Sequence, residues 1–149
     1  MIKPTDPHLT GWQHRTSELQ DRIEITDLIN RLGACLDEHR FEDLQSLFIE
    51  DATAVTPGGT AQGRNAVIAQ ATRNHETYDH LHHVITNVLV DLDGDRAAVR
   101  ANLVATFVRE AGQPELRLGA VYRFQAHRTR QGWQLSSLEV NPVWRLAPK

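Results

Sequence analysis

The 149-residue chain contains a single cysteine, Cys35, and lacks the patterns that identify several common protein classes. One thiol cannot form an internal disulfide, and no basic-then-apolar leader opens the chain, so we expect a cytoplasmic protein. No stretch approaches the roughly 20 apolar residues of a membrane-spanning helix, which argues against a membrane partner. The net charge of −3 gives no general attraction to nucleic acid. These absences leave a soluble globular protein.

Several catalytic signatures are missing as well. The chain has no glycine-rich phosphate-binding loop, no serine-centred nucleophile elbow and no setting for a nucleophilic cysteine. His80, His82 and His83 stand close together, but the two-residue period of a strand directs His83 to the face opposite the other two. A zinc set built from His80, His82 and either His75 or Asp79 matches no recognised ligand spacing. We therefore expect neither a metal nor another cofactor.

The order of the hydrophobic periods predicts an α+β protein. Residues 1–16 are polar and without periodicity, so they form a predicted N-terminal arm, and residues 17–149 form a single domain. A capping-box pattern at Ser17 begins a long amphipathic helix that ends near Asp37. From His80 onward the period changes to two, and turn signals separate four long strands. Helices followed by a long antiparallel meander are typical of the α+β class.

The region between the first helix and His80 holds shorter elements. Phe41, Leu44 and Phe48 have helical spacing and predict a short second helix after a tight corner at residues 38–40. Residues 51–56 and 60–62 predict two short strands about a turn, and Gly63 opens a third helix. Asp37 is therefore expected at a helix end that faces a corner.

Two strand registers are open at His83. If the hairpin that follows has a plain two-residue turn, His83 lies opposite Val104, and Asn102 is its neighbour on the same face. A single β-bulge would shift the pairing and place His83 on the face of Leu103 and Phe107 instead.

Several short motifs, taken in order, resemble the SnoaL-like branch of the nuclear transport factor two-like superfamily. They are Ile25-Thr26-Asp27-Leu28-Ile29, Phe41-Glu42-Asp43-Leu44, Leu47-Phe48-Ile49-Glu50-Asp51-Ala52, Gly63-Arg64-Asn65-Ala66-Val67-Ile68, His83-Val84-Ile85-Thr86-Asn87, Asp93-Gly94-Asp95, Gly119-Ala120-Val121-Tyr122 and Gly132-Trp133. The resemblance implies a cone, in which a strongly curved antiparallel sheet wraps around about three N-terminal helices and encloses an apolar pocket. It also implies a homodimer formed through the sheet.

The resemblance assigns candidate catalytic residues. In the dehydratases and the dehydrochlorinase of this superfamily, an Asp after the first helix orients a His from the first long strand, and Asp37 and His83 match that pair. Such a carboxylate fixes the imidazole tautomer and leaves the other ring nitrogen free to abstract a proton from carbon. Arg123 matches the position of a pocket arginine, which implies that Tyr122 points to the opposite face. Asn102 is a further candidate for the polar wall of the pocket.

Apolar residues near these positions are the expected pocket lining. They are Leu32, Phe41, Phe48, Tyr78, Phe107, Leu118 and Trp144. Two of them depart from the relatives: enzymes of the bile-acid dehydratase type have a tyrosine where this chain has Leu32, and the second histidine of scytalone dehydratase falls near Phe107. The chain thus retains a base and its orienting carboxylate but lacks the best-known acids.

The function implied by the resemblance is that of a cofactor-independent lyase or isomerase, of the dehydratase or cyclase type. Its substrate would be a small, hydrophobic, oxygenated molecule. The alternative is a non-catalytic subunit of the same fold that binds a small ligand or serves in assembly. A bonded Asp37–His83 pair that opens onto a cavity would favour catalysis, and a filled interior would favour the alternative.

Overall fold

The computed structural model describes residues 10–110 and 113–147. The elements are α1 (Gly11–Asp37), a 3-10 helix (Phe41–Ser46), β1 (Phe48–Thr56), β2 (Gly59–Gln62), α2 (Arg64–His75), β3 (His80–Asp93), β4 (Arg96–Glu110), β5 (Gln113–Thr129) and β6 (Gly132–Leu146). The six strands form one sheet in the order β2-β1-β6-β5-β4-β3. The β1–β6 pair is parallel, and the other neighbouring pairs are antiparallel. The predicted α+β architecture, with helices against a curved sheet, is confirmed.

Helix α1 packs against one face of the sheet and supplies much of the core. Its buried apolar side chains recur at helical spacing and are at most 6% exposed: Ile25, Leu28, Ile29, Leu32, Cys35 and Leu36. Burial of a side chain of this size stabilises the fold by about 1.5–3 kcal/mol. No helix within the described ranges is both long and apolar enough to cross a membrane.

Strand β4 shows how the sheet separates its two faces. Alternate residues turn toward the helices and are at most 8% exposed: Val99, Ala101, Leu103, Ala105 and Phe107. We call the helix-facing side the inner face and the other side the outer face. The outer face of β4 carries Arg100, Asn102 and Val104, of which Val104 is 37% exposed. The outer face therefore mixes polar and apolar side chains.

The first helix begins earlier than predicted. It starts at Gly11 instead of Ser17 because Thr10 and Gln13 provide the cap: the Thr10 N–H donates to Gln13 Oε1 at 2.8 Å. Residues 10–16 of the predicted arm thus form the cap and first turns of α1. Residues 1–9 of that arm lie outside the described residues, as do residues 111 and 112 in the predicted turn between the second and third long strands.

Phe48 begins a strand, so the prediction that it ends the second helix was wrong. The helix after the corner is a 3-10 helix that stops at Ser46. A 3-10 helix has three residues per turn, so the three-residue spacing of Phe41 and Leu44 suits it. Phe48 comes four residues after Leu44 and does not fit that spacing. Phe48 is 1% exposed as the first residue of β1.

A β-bulge in β3 fixes the register at His83. Asn87 has a positive φ of 55°, and the pairing with β4 slips around it. His83 lies opposite Ala105, with Leu103 and Phe107 as its inner-face neighbours on β4. The bulged alternative is confirmed, and the plain hairpin register was wrong.

A buried ion pair ties the amino-terminal half of α1 to the sheet. Arg128 donates to both carboxylate oxygens of Asp21, at 2.7 and 2.8 Å, and to Asp95 at 2.8 Å. The indole N–H of Trp133 donates to Asp21 at 3.1 Å, and the Arg128 guanidinium lies 4.7 Å from the centre of that indole. The Arg128 and Asp21 side chains are only 12% and 10% exposed. Loss of the Asp21 charge would leave the Arg128 guanidinium with Asp95 as its acidic partner, and loss of the Arg128 charge would leave the buried Asp21 carboxylate without a cation.

We predict that Asp21→Asn lowers the free energy of unfolding by about 3 kcal/mol, because it leaves the buried guanidinium short of a counter-charge. Urea denaturation monitored by circular dichroism measures this change. The matched control is Asp27→Asn, which breaks the 2.6 Å pair with Arg31 on the exposed side of the same helix. That pair is screened by solvent, so the control should change stability little. Equal, small effects of the two substitutions would contradict the prediction.

Candidate active site

A cavity of about 500 Å³ lies between the helices and the inner face of the sheet. Five of the predicted lining residues border it, namely Leu32, Phe48, Tyr78, Phe107 and Leu118. Leu36, Leu44, Val67, Leu103 and Val140 add to the apolar wall. The interior therefore contains an unfilled cavity with a mainly hydrophobic lining, and a small number of polar side chains border it.

Phe41 and Trp144 do not border this cavity, so their assignment to its lining was wrong. Phe41 faces a separate surface groove and contacts His39, with ring centroids 5.6 Å apart. Trp144 is 42% exposed and covers Gly119, where any added side chain would overlap the indole. The β5–β6 pairing slips next to Gly119, and this irregularity turns Trp144 to the outer face.

Asp37 is held by the turn that ends α1. The Arg40 N–H donates to the Cys35 carbonyl at 2.8 Å, and the His39 N–H donates to the Leu36 carbonyl at 3.3 Å. These two bonds form a Schellman motif, in which His39 takes the left-handed conformation usually left to glycine, with φ of 55°. Asp37 is the last residue of the helix. The corner predicted after Asp37 is present, and its backbone bonds fix where the carboxylate lies.

The Asp37 carboxylate binds both the ring and the backbone of His83. Asp37 Oδ1 lies 2.6 Å from His83 Nδ1, and the backbone N–H of His83 donates to Oδ1 at 2.9 Å and to Oδ2 at 3.1 Å. β3 is an edge strand, so the N–H groups on its free side have no partner strand, and Asp37 supplies the acceptor here. A carboxylate accepts hydrogen bonds, so the proton of the neutral ring belongs on Nδ1. Nε2 then keeps a free lone pair.

His83 is positioned against the cavity by a close helix–strand contact. Its side chain is 3% exposed and borders the cavity. At Gly33, an added Cβ would lie 3.1 Å from Ile85 Cδ1 and 3.6 Å from the His83 Cβ. The missing side chain at Gly33 lets α1 approach β3 closely enough for Asp37 to reach His83.

Arg123 and Asn102 lie on the outer face of the sheet, so their predicted placement at the pocket was wrong. Arg123 is exposed and pairs with Arg100 across the β4–β5 ladder. Asn102 accepts a hydrogen bond from Arg100 at 3.1 Å. Successive strand residues face opposite sides, so both side chains point away from the cavity that their neighbours border.

Tyr122 takes the place in the cavity that was expected for Arg123. It is 3% exposed, lies on the inner face and borders the cavity. Burial, followed by the negative charge of Asp37, raises the pKa of the Tyr122 hydroxyl above its ordinary value. The phenol therefore stays protonated and able to donate a hydrogen bond. The signal was available in the sequence, because the inner residues of β5 are Leu116, Leu118, Ala120, Tyr122 and Phe124, an unbroken apolar or aromatic alternation.

A second histidine, His75, also borders the cavity, although the sequence analysis considered it only as a possible zinc ligand. Its ring centroid lies 5.2 Å from that of His83 and 5.8 Å from that of Phe107. Burial, aided by His83, lowers the pKa of His75 to about 4. His80 and His82 are exposed on the other face of β3. Within residues 10–110 and 113–147, no three His, Cys, Asp or Glu side chains group as metal ligands.

The sequence profile of the SnoaL-like domain matches residues 17–139. The chain belongs to the SnoaL-like family. An uncharacterized protein of Mycobacterium tuberculosis strain H37Rv is 30% identical over 125 residues, which cover 80% of this chain and 83% of that protein. An uncharacterized protein of Mycobacterium bovis matches with the same identity and the same coverage.

Three solved structures share the fold of this chain. An NTF2-like protein of Novosphingobium aromaticivorans is 29% identical, covers 93% of this chain and 92% of its own, and superimposes with a TM-score of 0.81. A candidate scytalone dehydratase from the same species is 20% identical, with coverages of 91% and 92% and a TM-score of 0.82. A hexachlorocyclohexane dehydrochlorinase is 21% identical, with coverages of 91% and 93% and a TM-score of 0.81. At the two lower identities, the likeness establishes the fold alone.

Proposed function

We propose that this SnoaL-like protein is a cofactor-independent lyase or isomerase of the dehydratase or cyclase type. The observation that carries the proposal is the Asp37–His83 pair, bonded at 2.6 Å and placed on the wall of a hydrophobic cavity of about 500 Å³. A carboxylate-oriented imidazole is a general base, and a cavity of this size and lining suits a small hydrophobic molecule.

The proposed reaction begins when His83 Nε2 removes a proton from a carbon of the substrate. Asp37 keeps the opposite ring nitrogen protonated and stabilises the imidazolium that forms. In an elimination, the electron pair of the broken C–H bond forms the new double bond as the leaving group departs. In an isomerisation, the imidazolium returns the proton to another carbon. Both outcomes balance without a redox partner.

Tyr122 is the candidate for the polar contact that the sequence analysis expected from Arg123 or Asn102. A protonated phenol in a buried wall can donate a hydrogen bond to an oxygen on which negative charge develops. Its raised pKa suits this role, because the hydroxyl remains protonated where an ordinary phenol would begin to ionise. In an elimination, the same hydroxyl can donate to the departing oxygen.

The solved neighbours include a candidate scytalone dehydratase and a hexachlorocyclohexane dehydrochlorinase, both named for eliminations. This supports elimination as the first chemistry to test, although a shared fold alone does not fix a reaction. The mainly hydrophobic wall favours a small hydrophobic substrate.

We predict that His83→Ala lowers kcat by about 10³-fold or more, because it removes the base, and that Asp37→Asn lowers it by about 10²-fold or more by releasing the ring tautomer. Turnover is measured on a panel containing scytalone, γ-hexachlorocyclohexane and a 5-ene-3-ketosteroid. His82→Ala is the matched control, because His82 is exposed on the opposite face of the same strand. Undiminished turnover in His83→Ala would overturn the proposed role. Ligand binding with no turnover of any compound would favour the non-catalytic alternative.

We further propose that the protein is a homodimer formed through the outer face of the sheet and that it is cytoplasmic. Val84 on β3 and Val104 on β4 pair directly on that face and are 53% and 37% exposed. Such neighbouring apolar side chains suit an interface between sheets.

We predict that the double substitution Val84→Glu and Val104→Glu converts a dimer of the 16.8 kDa chain to a monomer, because like charges would meet across the interface. Size-exclusion chromatography with light scattering measures the mass. Ile23→Glu is the control, since Ile23 is 62% exposed on α1 and away from the sheet. A monomeric unsubstituted protein, or a dimer that survives both substitutions, would refute this interface.

A further inference from the structure

His75 is the last residue of α2 and lies beside His83, the proposed base on β3. Its ring borders the cavity and lies within 5.2 Å of the His83 ring and 5.8 Å of the Phe107 ring, measured between centroids. Tyr78 contacts the other side of this cluster, with its ring centroid 5.0 Å from that of Phe107. The His75 ring is therefore held in a packed aromatic wall.

The tautomer of His75 follows from one hydrogen bond. Nδ1 lies 2.7 Å from the carbonyl oxygen of Ala71, one turn earlier on α2. A carbonyl oxygen only accepts, so Nδ1 must carry the proton, and Nε2 of the neutral ring must hold a lone pair. Among the described residues, no protein group donates to that nitrogen. Its low pKa, about 4, keeps the ring in this neutral form near neutral pH.

Four aromatic side chains with polar atoms border the cavity, namely His75, Tyr78, His83 and Tyr122, and the other polar lining residues are Thr56, Gln70, Asn74 and Arg145. His83 Nε2 and His75 Nε2 both accept, whereas the Tyr122 hydroxyl can donate. His75 Nε2 is accessible from the cavity, so a ligand that supplies a donor takes the place of water at this acceptor, whereas a ligand without one leaves it unpaired. A carboxylate placed against His75 would bring two acceptors together, which disfavours an acidic ligand at this point.

We propose that His75 Nε2 accepts a hydrogen bond from a hydroxyl group of the substrate, and so selects hydroxylated compounds for the cavity. This inference rests on the proposed function, because it assumes that the same cavity holds the substrate of His83. The hydroxyl bound by His75 is separate from the carbon that loses its proton. His75 is a specificity-determining contact, and His83 remains the base.

The purely structural alternative is that His75 only closes the end of α2 through its bond to Ala71 and its contact with Phe107. Two substitutions separate the roles. His75→Phe keeps an aromatic ring against Phe107 but removes both nitrogens. His75→Gln removes the ring but can place an amide oxygen near the former Nε2 position, so it retains an acceptor.

The test measures binding of 2-naphthol and 2-methoxynaphthalene, two uncharged probes of nearly the same shape that a cavity of about 500 Å³ can hold. Only the first has a hydroxyl donor. Isothermal titration should give a preference of about tenfold for 2-naphthol in the unsubstituted protein, the size expected for one hydrogen bond. The preference should fall to within about twofold in His75→Phe and should recover in His75→Gln. Thermal melting of each variant checks that the fold is retained.

The outcomes separate this inference from the proposed function, because binding is read without any turnover. Loss of the preference in His75→Phe and its recovery in His75→Gln would support the hydroxyl contact even if no panel compound is converted. A preference that persists in His75→Phe, or that disappears only in His83→Phe, would overturn it by showing that the hydroxyl binds elsewhere. Absence of any preference in the unsubstituted protein would overturn it as well.

Discussion

The bond between Asp37 and His83 is the interaction on which the rest of the site depends. The Asp37 carboxylate joins the end of α1 to the edge strand β3. It contacts the His83 ring at 2.6 Å and the His83 backbone N–H at 2.9 and 3.1 Å. The Schellman turn fixes the position of Asp37, and the close approach of α1 to β3 at Gly33 brings His83 within reach of it. The same contact therefore secures a helix against a sheet edge and sets the tautomer of the ring. Structural and chemical roles are combined in one carboxylate.

Much of the fold was predictable because hydrophobic periods report burial directly. The shift from helical spacing to a period of two at His80 located the four long strands, and the corner after Asp37 was evident from the same patterns. The Asp37–His83 pairing was different, since the two residues are 46 positions apart and only the family resemblance connected them. The sequence around each residue does not show that the two side chains are close in space. The two side chains meet only because α1 packs on the edge strand β3.

The errors at the site have specific physical causes. Arg123 was assigned from the resemblance, although the alternation along β5 already placed Tyr122 inside and Arg123 outside. Trp144 was misplaced because an irregularity between Pro142 and Trp144, opposite Gly119, reverses the faces of β6. The place of His75 in the pocket was missed because it ends a short helix, and its neighbours His83 and Phe107 come from two separate strands. Face alternation is readable from sequence, whereas slips in the ladder and contacts between elements are not.

The resulting site is a mainly hydrophobic cavity bordered by His83, His75 and Tyr122. The central claim is that Asp37 holds the His83 proton on Nδ1, so that Nε2 faces the cavity as a base. The most direct test is a long-range ¹H–¹⁵N correlation spectrum of the histidine rings, with His83 assigned by its absence in His83→Ala. The account predicts a neutral His83 ring with its proton on Nδ1. A neutral ring with its proton on Nε2 would contradict it, because no lone pair would then face the substrate.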